Sequence, residues 1–268
     1  MESAGLDYII YFYSRVDVFL LILVRIIGFV VVLPIFSSAS IPTLVKVLFS
    51  VAVAYLIFVT DKIGEVYYYN SVPGYVTLIA QEFITGMIMA FVAYVVFTSL
   101  YFAGQMIDYQ IGFSMVNIFD PISQIQVPIV GNLLYFVLAV IMVQSGGFNA
   151  LLSAVFYSYD VLPVGAAALL GNRNIISVLL GLLGNFFNIS VRFAMPVVGS
   201  ILVIDAALGL MVKAVPQMNV FVVGMPIKLL IGLILLYVIT PNFIIMYDVM
   251  FNEVYRAVSN IVRSLVPG

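Results

Sequence analysis

Long runs of apolar residues constrain the fold of this chain more than any other feature. A helix that crosses a membrane needs about 20 mostly apolar residues, because the hydrocarbon core is ~30 Å thick and a helix rises ~1.5 Å per residue. Six stretches reach or nearly reach that length: Val18–Phe36, Leu44–Thr60, Val76–Tyr101, Pro128–Val143, Ile175–Met211 and Pro226–Tyr247. The sequence therefore predicts an integral membrane protein.

Composition narrows the function further. Only 8% of the residues are charged, against roughly 25% in a soluble domain. The net charge of -2 gives no basis for binding nucleic acid, which requires clustered Lys and Arg. The chain has no Cys and no His, which are the usual ligands of zinc and haem and include the commonest general base. We expect no metal, no cofactor and no enzymatic activity.

The pattern of the apolar stretches predicts an all-α protein built of helical hairpins. Nothing alternates with period two for long enough to indicate a barrel, and Pro and Gly stand between the stretches, as expected at helix ends. The segment Phe148–Leu170 is interrupted by Asp160 and Pro163 and corresponds to one short helix or two. We expect six to eight long apolar helices, followed by an amphipathic helix over Asp248–Gly268.

Four charged residues lie inside predicted spans: Arg25, Glu82, Arg192 and Asp205. A charge there costs at least ~2.5–3.5 kcal/mol, so each needs a partner or a wet cavity. An ion or proton path is one interpretation. An internal salt bridge, or pairing with another subunit, is the favoured one, because two residues of each sign are present.

Amides accompany one of these charges. Asn185 and Asn188 precede Arg192, and Gly181 and Gly184 lie close by. Small and amide residues allow helices to approach closely and to hydrogen-bond across their interface. We expect this part of the fifth stretch to serve assembly, with the lining of a polar conduit as the alternative.

A segment rich in glutamine and without Lys or Arg separates two of the apolar stretches. We call Gln110–Gln126 the gating segment, and its candidate residues are Gln110, Gly112, Phe113, Ser114, Met115, Ile118, Phe119, Asp120, Pro121, Gln124 and Gln126. Irregular backbone is tolerated at membrane depth only where it is buried in protein or lines a watery cavity. The residues alone leave open whether the segment closes a channel or contacts a neighbour.

Several long motifs occur in a fixed order along the chain. They are GQMIDYQIGF from Gly104 with Asp120-Pro121 after it, Arg192 with Pro196, DAALG from Asp205, PQMNVF from Pro216, and GMPIK ending at Lys228. In these motifs the chain resembles the FliR/SctT family of type III export-gate membrane proteins over essentially its whole length. One departure is the turn Ser145-Gly146-Gly147-Phe148, which lacks a His that the family often has.

The resemblance implies a subunit of a flagellar export gate in the bacterial inner membrane. One copy would join FliP-like and FliQ-like subunits around a channel for unfolded rod, hook and filament proteins, near FlhB-like and FlhA-like proteins and the basal-body ring. Residues 1–174 would form a FliP-like part and residues 175–268 a FliQ-like hairpin. The gating segment would act as a plug loop in the closed channel.

The turn between the last two apolar stretches is a further candidate site. Its residues Pro216, Gln217, Met218 and Asn219, together with Lys228, form a predicted docking site for a partner, with a plain capped turn as the alternative. The competing function is a secondary transporter of a small solute or ion. In that case Glu82 and Asp205 would be the coupling acids.

Overall fold

The computed structural model describes residues 15–37, 41–60, 71–113, 128–167, 173–217 and 219–264. Every regular element in these ranges is a helix, which confirms the predicted all-α class. The helices are α1 (Val16–Val32), α2 (Pro34–Ser37), α3 (Thr43–Val59), α4 (Val72–Ile111), α5 (Ile129–Gln144), α6 (Gly147–Val161), α7 (Arg173–Ala214) and α8 (Val220–Ser264).

The number of candidate spans is smaller than expected. Within the described residues, three helical stretches are long and apolar enough to cross a membrane: Val72–Ile111, Leu180–Ala214 and Phe221–Pro241. Helices α5 and α6 meet at a 70° bend and together form a fourth candidate. A count of six to eight spanning helices is therefore not confirmed, since α1 and α3 have only 17 residues each.

Three helices are much longer than a bilayer requires. Helices α4, α7 and α8 have 40, 42 and 45 residues, so each is about 60–68 Å long at ~1.5 Å per residue, twice the hydrocarbon thickness. The predicted amphipathic segment from Asp248 is not a separate helix but the continuation of α8. No Gly or Pro lies between Asn242 and Ser264 to end the helix earlier.

Pro and Gly mark the observed breaks. Pro34 follows Leu33, whose extended ψ of 125° separates α1 from α2, and Pro128 precedes α5. Gly146 has a φ of +76° between α5 and α6, a conformation that glycine adopts without steric cost. The segment from Phe148 contains one helix, α6, and not two within the described residues.

The chain divides into two compact units. The first comprises residues 1–94, 148–180 and 253–268. In it α1 packs on α3, and the rings of Phe19 and Phe58 meet edge to face at 5.8 Å. Helices α1 and α4 approach at their backbones, because a Cβ on Gly86 would overlap the carbonyl oxygen of Arg25.

The second unit comprises residues 95–147 and 181–252. Here α4 and α5 cross in close contact, because a Cβ on Gly104 would overlap the backbone of Gly131. Gly104 lies inside the uninterrupted helix α4 and permits this close crossing. Helix α7 packs on α4 through Ser190, whose hydroxyl donates to the carbonyl oxygen of Ser99 at 2.9 Å.

Candidate functional site

The first unit contains a buried ion pair between α1 and α4. Arg25 and Glu82 are both inaccessible to solvent. The Arg25 Nε donates to Glu82 Oε2 at 2.5 Å, and Nη2 donates to Oε1 at 3.0 Å. The guanidinium lies 4.2 Å from the centroid of the Tyr159 ring. This bidentate pair is the internal salt bridge that the sequence analysis favoured.

The same pair holds the turn that follows α6. Arg25 Nη1 donates to the carbonyl oxygen of Leu162 at 3.1 Å, and Glu82 Oε1 accepts the backbone N–H of Gly165 at 2.7 Å. Gly165 has a φ of +82°, as expected of glycine in a turn. Because every polar atom of Arg25 and Glu82 has a partner, Glu82 offers no open site to a transported ion. This geometry argues against the transporter alternative.

The second unit contains a different polar cluster, which is partly exposed. Asp205 of α7 forms an ion pair with Lys228 of α8 through its Oδ1 atom. Its Oδ2 atom accepts the side-chain N–H of Gln110, on α4, at 3.0 Å. The side chains of Lys228 and Asp205 are 25% and 34% exposed. One carboxylate therefore joins three helices at the start of the gating segment.

The carboxylate of Asp108 joins α4 to α5, the two helices that flank the gating segment. It accepts the backbone N–H of Val130 at 3.1 Å through each of its oxygens, and that of Gly131 at 3.3 Å. These N–H groups belong to the first turn of α5 and have no partner within that helix. Pro128, the N-cap residue of α5, makes no side-chain cap. A residue of α4 thus caps α5 and brings together the two ends of the intervening chain.

The described part of the gating segment lies at the end of α4. Gln110 and Phe113 are half-buried, and Gly112 has a φ of +101°, which ends the helix. The remaining candidates lie outside the described residues: Ser114, Met115, Ile118, Phe119, Asp120, Pro121, Gln124 and Gln126. Their predicted part in closing a channel stays a prediction.

A polar stripe runs along the outer face of α7. Asn185, Asn188 and Arg192 are all exposed, and their spacing of three and four residues places them on one side of the helix. The face that bears Ser190 packs on α4. Within the described part of the chain, neither a hydrogen bond nor an ion pair holds the Arg192 guanidinium. Arg192 is thus not paired with Asp205, whose partner is Lys228.

The turn between α7 and α8 is exposed at Pro216, Gln217 and Asn219, while Met218 lies outside the described residues. Asn219 caps α8, because its Oδ1 atom accepts the backbone N–H of Phe221 at 3.0 Å. Lys228, which we had grouped with this turn, lies eight residues beyond the start of α8 and pairs with Asp205. The part of Lys228 in docking a partner stays a prediction, and within this chain its ammonium faces Asp205 of α7.

Sequence reasoning missed two of these contacts. It assigned no role to Asp108, and it gave Lys228 no internal partner. The described residues contain no group of three or more acidic side chains able to hold a metal ion. Both missed contacts join residues more than 20 positions apart. No local pattern signals them.

Comparisons with known proteins agree on one family. The family model described as bacterial export proteins, family 1, matches residues 16–254. The flagellar biosynthetic protein FliR of Bacillus subtilis (strain 168) is 31% identical over 222 residues, 82% of this chain and 85% of that protein. FliR of Escherichia coli (strain K12) is 24% identical over 243 residues, 91% and 92% of the two chains. The Yop proteins translocation protein T of Yersinia pestis is 32% identical over 161 residues, 60% and 62% of the two chains.

Proposed function

The chain belongs to family 1 of the bacterial export proteins, and we propose that it closes an export channel with its gating segment. It is a membrane component of the flagellar type III export gate. The flagellar relatives cover more of the chain than the translocation protein does, which favours the flagellum over an injectisome. In the proposed function this subunit undergoes a conformational change, and we assign it no chemical step.

The anchoring of the gating segment is the observation that carries the proposal. Asp108 ties the end of α4 to the first turn of α5, so the two helix ends that flank residues 114–127 are held together. Gly104 and Gly131 bring the same two helices into close contact. A segment held at its base in this way moves in and out of a passage without separating the helices that carry it. The segment has no Lys or Arg and one acid, Asp120, so it offers passing chains little charge to bind.

Ion permeability tests this function. In membranes that contain the intact complex, deletion of residues 114–124 should raise the resting permeability to potassium ions while the complex remains assembled. The deletion leaves Gln110, Asp108 and the helix crossing in place. An assembled complex that stays as tight to potassium as the unaltered one would refute the plug function.

We also propose that the polar stripe on α7 docks a helix of a different chain. An exposed guanidinium on an apolar span costs at least ~2.5–3.5 kcal/mol in lipid, so Arg192 requires an acidic partner. The carboxylates of Glu82, Asp108 and Asp205 in the long helices are already engaged. A second copy of this chain would therefore bring no free acid from those three positions. The partner we propose is an apolar helix with one carboxylate.

The partners we propose are the FliP-like and FliQ-like subunits of the bacterial inner membrane, close to FlhA-like and FlhB-like proteins and the basal-body ring. Residues 175–268 would occupy the place of a FliQ-like hairpin and residues 1–174 that of a FliP-like subunit. The turn at Pro216 and Gln217 is exposed and available for docking. Such an assembly would export unfolded rod, hook and filament proteins.

The mass of the gently extracted complex tests the assembly. After co-expression with the FliP-like and FliQ-like proteins of the same organism, we expect a single copy of this chain in a larger mixed complex. Because the chain has no Cys, a cysteine at Asn188 would be unique in it. It should cross-link to another subunit, whereas one at the internal Ser190 should not. A monomer or homo-oligomer, with the other proteins absent from the preparation, would refute the partners.

A further inference from the structure

Helix α3 carries a broad apolar face that the first unit leaves exposed. We call this surface the α3 outer face, and its side chains are 36% to 68% exposed. They follow one another at helical spacing, and they are Leu44, Val45, Val47, Leu48, Val51, Tyr55, Leu56 and Val59. The opposite side of the helix is buried, with Ala54 and Ile57 at 0% and 1% exposure. The α3 outer face therefore needs a covering that the first unit does not supply.

The α3 outer face lacks the groups by which helices usually bind one another in a membrane. Interfaces between membrane helices are enriched in small residues and in side chains that hydrogen-bond across the contact. This face has no Gly, no amide and no charge, and its one polar side-chain group is the hydroxyl of Tyr55. The small residues Ser50 and Ala54, four positions apart, lie on the buried side instead. Val and Leu side chains are as apolar as lipid tails and need no hydrogen-bonding partner.

The exposed face of α7 has the opposite character. Asn185, Asn188 and Arg192 present amides and a cation there, and a charge is costly in lipid. That face accordingly requires a protein partner with a carboxylate. The outer residues of α3 include no such group, so contact with lipid carries no comparable cost for them.

The polar side chains of α3 suit a helix that stands in a bilayer. Lys46, its one charged residue, lies in the first turn, and Tyr55 lies one turn before the last residue, Val59. Lys side chains near helix ends reach the membrane surface, and Tyr is enriched at that level. The 17 residues of α3 cover about 25 Å, somewhat less than the ~30 Å of hydrocarbon. A bilayer accommodates such a difference by thinning locally.

We propose that the α3 outer face contacts the acyl chains of phospholipids in the assembled complex. This part of the chain then lies at the perimeter of the assembly and holds it in the bilayer, while the exposed face of α7 is covered by protein. The inference goes beyond the plug function and does not depend on it.

Labelling from within the lipid tests the inference on the unaltered complex. The complex is placed in vesicles of phosphatidylethanolamine and phosphatidylglycerol that contain a little phosphatidylcholine with a diazirine on its acyl chain. Trypsin cuts after Lys and Arg, and it releases residues 47–62 of α3 and residues 174–192 of α7 as separate peptides. After irradiation, mass spectrometry should find several times more lipid adduct on residues 47–62 than on residues 174–192.

The two peptides separate the possible failures. If residues 47–62 carry no lipid while other peptides of the complex do, the inference is overturned. If both peptides carry lipid equally, the contact of α3 with lipid stands and the proposed docking of a helix on α7 fails. Neither result bears on the plug function, which the deletion of residues 114–124 tests by itself.

A nitroxide spin label at single positions gives the same test at the level of one side chain. Because the chain has no Cys, a cysteine at Leu48 or at Leu56 is unique in it, and cysteines of the other subunits are replaced by Ser. Both labels should collide more often with oxygen, which dissolves in lipid, than with a water-soluble nickel chelate. A label at Ser50, on the buried side of α3, is the control and should meet neither.

Two results at the outer positions would overturn the inference. Labels at Leu48 and Leu56 that are shielded from both oxygen and nickel would mean that another protein chain covers the α3 outer face. Labels that meet the nickel chelate more often than oxygen would mean that the face lies in water. Both residues are more than half exposed, so the complex should tolerate the label at each.

Discussion

Two ion pairs within the described residues stand in opposite environments. Arg25 and Glu82 are fully buried, hydrogen-bonded on every side, and fixed between α1, α4 and the turn after α6. Asp205 and Lys228 are partly exposed, and their acid also holds Gln110 at the start of the gating segment. The comparison teaches that charges in apolar helices serve two purposes here. The buried pair is part of the scaffold, and the partly exposed pair is suited to rearrangement.

The largest effect should come from breaking the buried pair. Glu82→Leu leaves the Arg25 guanidinium buried without its counter-charge, which should destabilise the protein by about 3–5 kcal/mol. The midpoint of thermal unfolding of the solubilised protein measures the loss. The matched control is Arg25→Leu with Glu82→Leu, which removes both charges and should lose less than the single variant. A double variant as unstable as the sum of the two single variants would show that the pair is not the cause.

The next effect should come from the helix contact beside that pair. Gly86→Ala puts a methyl group against the carbonyl oxygen of Arg25, and overpacking of this kind costs about 1–3 kcal/mol. Gly209→Ala is the control, because a Cβ at that helical position meets no other atom. It should be neutral or stabilising by up to about 1 kcal/mol. Equal thermal midpoints for the two variants would contradict the close approach of α1 and α4.

A comparable effect on stability should follow at Asp108. Asp108→Asn keeps the shape but weakens the bonds to the first turn of α5, which should cost about 1–3 kcal/mol. Its larger consequence should be a leak of potassium ions, because the base of the gating segment is loosened. Tyr109→Phe, next to it and 68% exposed, is the control. A tight complex with Asp108→Asn would mean that the cap of α5 has no part in closure.

The smallest effect on stability should come from the partly exposed pair. Lys228→Met removes a cation that is already screened by solvent, so we expect a loss of at most about 1 kcal/mol. The thermal midpoint of the solubilised protein, measured beside that of Glu82→Leu, tests the contrast between the ion pairs. A loss of stability as large as that of Glu82→Leu would place both pairs in the scaffold.

The candidate site was only partly predictable from the sequence. The sequence revealed four charged residues inside apolar runs, because a charge among apolar neighbours is visible without any structure. They are Arg25, Glu82, Arg192 and Asp205. Their pairing was not predictable, because two acids and two bases allow several pairings and the actual partner of Asp205 is Lys228. The same limit applies to Asp108, whose partners lie 22 and 23 residues further along the chain.

The sequence by itself determined the membrane class, the helical fold and the family. The lengths of the apolar runs, the Pro and Gly residues between them and the order of the motifs can all be read along the chain. Only the tertiary structure decided which apolar helix is buried by other parts of the protein. The apolar window of α4 is 56% buried in the molecule and that of α7 only 17%, although their mean hydropathy is equal. Hydropathy measures the transfer of a side chain out of water. It does not distinguish a protein neighbour from lipid, and packing between distant residues makes that choice.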